Sequence, residues 1–411
     1  MNDNILDNWN SISCASQELG DAFYFFDEAR FCSNYHEMLG EFARFYPRVE
    51  IAYSYKTNYT PYICKLVDRL GGRAEVVSEM ELELARRVGV DFGKVIYNGP
   101  CKSYSSLDAA ARAGVLINLD NLEDIKKLEI ICAQTEMPTV QVAFRCNFGE
   151  IDGQSSRFGF DVGGEEFEKA LKIISKNKRL DLVGLHCHYP NRQPSTYKTR
   201  ALKVVALANR IFSNPPKFIN LGGGFMSHMP ADLANKMGVV PASFCDYAQI
   251  IGNELIRHYG DKDDLPTLIV EPGTALVADT LNFVCQVTST RYVGERLIAV
   301  VSGSIFNISP TARSSNLPVT LVCNPQNLRD SELVFDVAGY TCIESDFLSR
   351  NVRGNPMVGD FLVYSNVGSY SVVMKPPFIL PSVPIVMCGK NGLEVIKQGE
   401  DFDYIFEKFK F

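Results

Sequence analysis

The chain has 411 residues, 46% of them hydrophobic and 22% charged, a balance that supports a sizeable core and excludes disorder. Its net charge of -7 disfavours nucleic acid or an anionic membrane as the main partner, because both need a basic face. The 12 cysteines are scattered with no Cys-x-x-Cys, and the start Met1-Asn2-Asp3-Asn4 is neither basic nor apolar, so the expectation is reduced thiols in a cytoplasmic protein.

In chain order, Ala22–Phe26 reads as an early strand that pairs with the C-terminal part of the chain. From about residue 50 to 280, eight short β-rich runs alternate with helical stretches: Ile51–Tyr55, Ala74–Val77, Val95–Tyr97, Val115–Leu119, Thr139–Arg145, Leu182–His186, Lys217–Leu221 and Thr267–Val270. The helices carry their own punctuation. Ser78-x-x-Glu81 has a capping-box pattern ahead of Leu82, Ala85 and Val88, with Gly89 as the stop. Another helix starts near Asn121, with Leu122, Ile125 and Leu128 at helical spacing before Pro138. Eightfold alternation points to a parallel (β/α)8 barrel over 28–280, with a doubly wound open sheet as the alternative. After 281 the runs Asn282–Thr288, Leu297–Val301, Leu333–Ala338, Asp360–Tyr364 and Ile385–Cys388 read as a β-sandwich or β-barrel-like domain, which 1–27 is expected to join.

A barrel carries its active site at the C-terminal ends of its strands. There the chain places Lys56, Glu75, Asn98, Arg145, His186-Cys187-His188, Gly222-Gly223-Gly224 and Glu271-Pro272-Gly273-Thr274. Lys56 closes an apolar run; it is either a snorkelling strand-end lysine or, desolvated, a nucleophile toward an aldehyde. Three successive glycines make either a plain tight turn or a nest whose N–H groups approach a phosphate. Glu271 is either a solvated rim acid or a buried partner for a pyridine nitrogen. His186 and His188 share a strand face and supply at most two ligands, too few for a metal centre, so none is expected.

As a set, Tyr53-Ser54-Tyr55-Lys56-Thr57-Asn58, Gly184-Leu185-His186-Cys187-His188, Leu221-Gly222-Gly223-Gly224-Phe225, Glu271-Pro272-Gly273, Cys342-x-x-x-Asp346 and Gly368-Ser369-Tyr370 resemble the fold type III pyridoxal-phosphate decarboxylases, which include diaminopimelate and ornithine decarboxylases. The resemblance spans about 20 to 390. It implies an alanine racemase-like barrel with a C-terminal β-domain and pyridoxal phosphate as cofactor. Lys56 would be the Schiff-base lysine, His188 the ring-stacking residue and Glu271 the pyridinium partner. Gly222, Gly223, Gly224, Gly273, Thr274 and Tyr370 would surround the phosphate, with Glu75 and Arg145 in support. It further implies a homodimer in which Cys342 of one subunit reprotonates the carbanion in the other's site.

The departures bear on substrate. Thr274 stands where the family usually has arginine, His188-Tyr189-Pro190-Asn191 replaces its His-x-Gly-Ser, and Ile343 replaces the acid after the cysteine. An arginine for a distal carboxylate is missing near Ser309, with Arg313 the nearest candidate; Glu344 and Asp346 are the remaining expected substrate contacts. The expectation is decarboxylation of an unusual amino acid, conjugated or carrier-linked, in siderophore or natural-product assembly. Diaminopimelate, ornithine or lysine decarboxylation, a catalytically silent regulatory homologue and an amino-acid racemase are the alternatives.

Overall fold

The computed structural model describes residues 5–134, 138–260, 264–308, 315–329, 331–374, 377–390 and 392–411. Strand β1 (Ala22–Phe26) precedes β2 (Val49–Ser54), β3 (Arg73–Val76), β4 (Val95–Tyr97), β5 (Leu116–Leu119), β6 (Val140–Asn147), the two-residue β7 (Phe160–Asp161), β8 (Leu180–His186), β9 (Phe218–Asn220) and β10 (Thr267–Val270). Strands β2, β3, β4, β5, β6, β8, β9 and β10 pair in that order, all parallel, and β10 returns to β2 to close the barrel. Closure removes both sheet edges.

The runs read from the sequence fall on these strands with small end shifts, and one shift matters. Strand β2 stops at Ser54, whose N–H donates to the Pro272 carbonyl at 3.0 Å, and Tyr55–Thr57 form a 3-10 turn. Lys56 therefore leaves the strand direction and is not buried at its end.

Local signals act as the sequence suggests. Helix Glu79–Val88 is capped by Ser78, which accepts from Glu81 N–H at 3.2 Å, and ends at Gly89 with φ +79°. The reciprocal half of the capping box is displaced by one residue: the Glu81 carboxylate accepts from Val77 N–H at 2.8 Å. Helix Leu122–Cys132 starts at Asn121, whose carboxamide oxygen accepts from Asp124 N–H at 3.0 Å.

Inside the barrel, Ala52, Ile96, Leu116, Ala143, Val183, Phe218 and Ile269, from seven strands, form one apolar cluster. Each large member contributes about 1.5–3 kcal/mol by burial.

The chain separates into two compact units. One comprises Cys32–Met226 and Ala242–Ala275; the other comprises Met1–Phe31, Ser227–Pro241 and Leu276–Phe411. Residues 227–241 thus group with the second unit, although they fall inside the continuous 28–280 span expected for the barrel.

The second unit holds β11 (Leu281–Val293), β12 (Arg296–Val301), β13 (Val319–Val322), β14 (Leu333–Ala338), β15 (Phe347–Gly354), β16 (Phe361–Tyr364), β17 (Ile385–Gly389) and β18 (Gly392–Lys397). With β1 they make a nine-stranded mixed sheet. Strand β1 lies inside it, antiparallel to β11 (Ala22↔Cys285) and parallel to β17 (Tyr24↔Ile385). Phe23 and Phe25 pack with Val284, Phe361, Val363 and Val386, while the Tyr24 hydroxyl donates to the Asn307 carbonyl at 2.6 Å.

Candidate active site

Strand side chains alternate between faces, so the residue two beyond each apolar layer member faces the same way. Six of those residues are polar: Ser54 after Ala52, Asn98 after Ile96, Asn118 after Leu116, Arg145 after Ala143, Asn220 after Phe218 and Glu271 after Ile269. With Glu75 and His186 they form a polar layer toward the C-terminal ends of the strands.

Lys56 Nζ lies 2.6 Å from Glu75 Oε2 and 2.6 Å from Ser54 Oγ, with its side chain 43% exposed. Glu75 is 1% exposed and also accepts from Ser54 Oγ. Asn98 Nδ2 donates to Glu75 Oε1 at 2.8 Å and to Glu271 Oε1 at 2.9 Å. Glu271 further accepts from Asn220 Nδ2 at 2.7 Å and lies 3.1 Å from His186 Nε2. One hydrogen-bonded floor therefore joins Lys56 to His186 through two buried carboxylates. Burial pushes the Glu271 carboxyl up, but His186, Lys56 and Asn98 outweigh it and hold it well below the usual carboxylate range.

The glycine turn sits against this floor. A Cβ at Gly223 would fall 2.3 Å from the Glu271 carbonyl oxygen, and one at Gly222, with φ +67°, 2.6 Å from His188 Cβ. Gly222 N–H donates to Asn220 Oδ1 at 2.8 Å and Gly223 N–H to His188 Nδ1 at 3.2 Å. Two of the three glycine donors are thus engaged within the protein. The N–H groups of Gly224 and Phe225 have no hydrogen-bond partner among the described residues. They are the open donors of the turn. Because its Nδ1 accepts a hydrogen bond, His188 carries its proton on Nε2 and is neutral. Burial first, then Arg145 and His186, lower its pKa to about 3. Gly273 is packed so closely that a Cβ would fall 2.0 Å from Thr57 Oγ1, and Thr274 opens the helical turn Thr274–Val277. Arg145 stays at the side, with Nε 3.8 Å from Asp120 and its guanidinium 4.5 Å over the Phe158 ring.

His186 and His188 do not share a strand face as expected, because β8 ends at His186. Among the described residues no group of three or more His, Cys, Asp or Glu is placed to hold a metal ion. Cys187 between them is buried, and that burial pushes its thiol up to about 12.

In the second unit, Cys342 and Glu344 are exposed and Tyr370 is half-buried, with φ +64°. Asp346 takes a different place from the substrate contact expected of it. It is 3% exposed and accepts from Ile305 N–H (2.8 Å), Thr341 Oγ1 (2.6 Å) and Ser304 Oγ (3.2 Å), so it anchors the loop that carries Cys342. Arg313 and Ser309 lie outside the described residues.

Sequence reasoning assigned no role to Ser54, Asn118 or Asn220, and none to His186 beyond metal binding. The signal was present: each is a polar side chain inside an apolar strand, as in Ile117-Asn118-Leu119 and Ile219-Asn220-Leu221.

Residues 32–278 match the family model described as pyridoxal-dependent decarboxylase, pyridoxal binding domain. The diaminopimelate decarboxylase of Methanocaldococcus jannaschii is 26% identical over 98% of this chain and 94% of its own. The L-glutamyl-[BtrI acyl-carrier protein] decarboxylase of Niallia circulans is 25% identical over 93% of this chain and 91% of its own. Among solved structures, the M. jannaschii diaminopimelate decarboxylase superposes with a TM-score of 0.85 at 23% identity, covering 97% of this chain and 94% of that one.

The residues present fit pyridoxal phosphate. Lys56 offers a primary amine, Glu271 a buried carboxylate for the ring nitrogen, and the turn two open N–H donors on a backbone packed too closely against His188 and Glu271 for a side chain at Gly222 or Gly223.

Proposed function

Because the chain belongs to the pyridoxal-dependent decarboxylases, we propose that it removes the α-carboxylate of an amino acid or amino-acid conjugate with an unusual distal end. The observation that carries the chemistry is the floor linking Lys56 to Glu271 through Asn98. Pyridoxal phosphate, when bound, supplies the electron sink for the carbanion left by loss of CO2.

The chain's own residues have separate tasks in this reading. Lys56 supplies the amine, and Glu75 with Ser54 holds it at the barrel mouth. Glu271, kept ionised by its neighbours, retains a proton on the ring nitrogen. His188 presents a flat, neutral face fixed by Gly223 N–H. Gly224 and Phe225 N–H would take the phosphate, with Gly273, Thr274 and Tyr370 the further residues proposed to hold it. Cys342, from the second copy in a homodimer, donates the proton that completes the product.

The substrate reading is supported by what stands at the expected gripping positions. Ile343 is apolar and 39% exposed, so it offers a distal ammonium no counter-charge. Thr274 donates one hydrogen bond and not a bidentate, charge-assisted pair. A substrate with a masked far end, such as a conjugated diamino acid or an aminoacyl group on a carrier protein, suits such a site. A relative whose name gives an acyl-carrier-bound glutamyl substrate supports the same direction. The test is a mass-spectrometric screen for CO2 loss across free, conjugated and carrier-linked amino acids. The reading expects a conjugated substrate to be turned over fastest; fastest release from free meso-diaminopimelate or ornithine overturns it. Purified protein should also show the visible absorbance of bound cofactor, and Lys56→Ala should lose it.

A further inference from the structure

Behind the glycine turn lies a buried cluster with no part in the chemistry above. Arg200 is 0% exposed and makes no ion pair among the described residues. Its guanidinium donates to the Asn191 carbonyl and to Thr196 Oγ1 at 3.0 Å, while Nε and Nη1 have no hydrogen-bond partner among the described residues. Its charge is offset by aromatic faces: it lies 4.1 Å over the Tyr197 ring and 6.0 Å from that of Tyr189. A fully buried cation without a carboxylate is a costly arrangement. The ring it covers is equally constrained. Tyr197 stacks on Phe225 at 5.1 Å and meets Tyr247 edge-on at 5.2 Å.

All of this fixes one hydroxyl, which donates to the Gly223 carbonyl at 2.7 Å. In a trans peptide the carbonyl of one residue and the N–H of the next point in opposite directions. Holding the Gly223 oxygen toward Tyr197 therefore turns the Gly224 N–H to the opposite side, as an open donor. Glycines on both sides of this peptide make a flip easy, and a flipped peptide would present a carbonyl oxygen where the donor had been. The Arg200 charge over the ring also strengthens the hydroxyl as a donor.

We propose that Tyr197, clamped between Arg200 and Phe225, is a positioning residue that locks the Gly223–Gly224 peptide with its N–H available to the cofactor phosphate. This rests on the reading of the 222–224 turn as the phosphate site. It gives the turn a fixing element in a chain whose His188-Tyr189-Pro190-Asn191 segment lacks a serine hydroxyl.

The test compares pyridoxal phosphate with pyridoxal, which lacks only the phosphate, by absorbance titration of wild type and Tyr197→Phe. The expected result is a roughly tenfold loss of affinity for pyridoxal phosphate, the scale of one good hydrogen bond, with pyridoxal affinity unchanged. Tyr189→Phe is the control. Its hydroxyl donates to the Gly149 carbonyl at 2.9 Å, away from the turn, and its removal should leave the ratio of the two affinities unaltered. Equal losses for both ligands in Tyr197→Phe, or no loss, overturn the proposal. Thermal melts confirm that the variants are folded; should Tyr197→Phe fail to fold, Arg200→Lys, which keeps the charge but loses the flat face, must lower the same ratio or the proposal falls. If wild type itself binds both ligands equally, the phosphate-site reading fails first and takes this inference with it.

Discussion

At Asn98 one carboxamide nitrogen serves two buried carboxylates, at 2.8 Å from Glu75 and 2.9 Å from Glu271. Removing it leaves both acids short of a donor in a low-dielectric site. Hydrogen bonds to charged groups are worth about 1.5–3 kcal/mol, so Asn98→Ala should lower kcat/KM about ten- to a hundredfold, measured by CO2 release on the best substrate. His188 provides a second residue-level expectation. Its folded-state pKa is depressed to about 3 from an ordinary 6.5. The unfolded chain therefore takes up that proton first, and the associated stability is present in full above about 6.5 and is lost as pH falls toward 3. Urea midpoints between pH 7 and pH 4 should fall less steeply for His188→Phe than for wild type.

The elements that carry these residues were legible where local chemistry dictates them. Ser78 and Gly89 bound a helix because a hydroxyl at the start and a left-handed residue at the end satisfy backbone groups that nothing else reaches. Lys56 was legible as a reactive amine but not in its setting, since the sequence does not reveal that β2 ends at Ser54 and that Tyr55–Thr57 turn out of the strand. Asn220 escaped notice because only closure of the barrel brings it and Asn98 from distant strands to Glu271, and Asn118 because its partner is the Asn98 carboxamide oxygen on the neighbouring strand. Asp346 was misplaced because motif spacing says nothing of which way a loop folds back on its own N–H groups.

Two further expectations belong at the element scale. Glu81, in the first turn of its helix, is raised from 4.5 to about 7 by burial and then by Glu75. Here the folded state holds the proton longer than the unfolded one, so stability falls as pH rises from about 4.5 through 7. Glu81→Gln, whose oxygen still accepts from Val77 N–H, should gain on wild type across that window in chemical denaturation. Gly223→Ala places a methyl 2.3 Å from the Glu271 carbonyl oxygen, too close for any rotamer to relieve. Cofactor absorbance should be absent from that variant.

For the whole molecule, the proposed dimer with Cys342 supplied in trans makes a prediction that no single subunit can mimic. Lys56→Ala and Cys342→Ala proteins, each inactive alone, should regain CO2 release when mixed and allowed to exchange subunits, because one site of each hybrid then has both residues. No recovery despite demonstrated exchange would place both residues of a site in one chain.

The position of β1 has a consequence for how the protein is made. Its neighbours begin at Leu281 and Ile385, so Phe23, Tyr24 and Phe25 leave the ribosome long before either partner strand exists. The barrel strands, all complete by Val270, can assemble first, while the apolar segment that precedes them waits for its place. The sheet around β1 is therefore completed only once Ile385–Gly389 has been made.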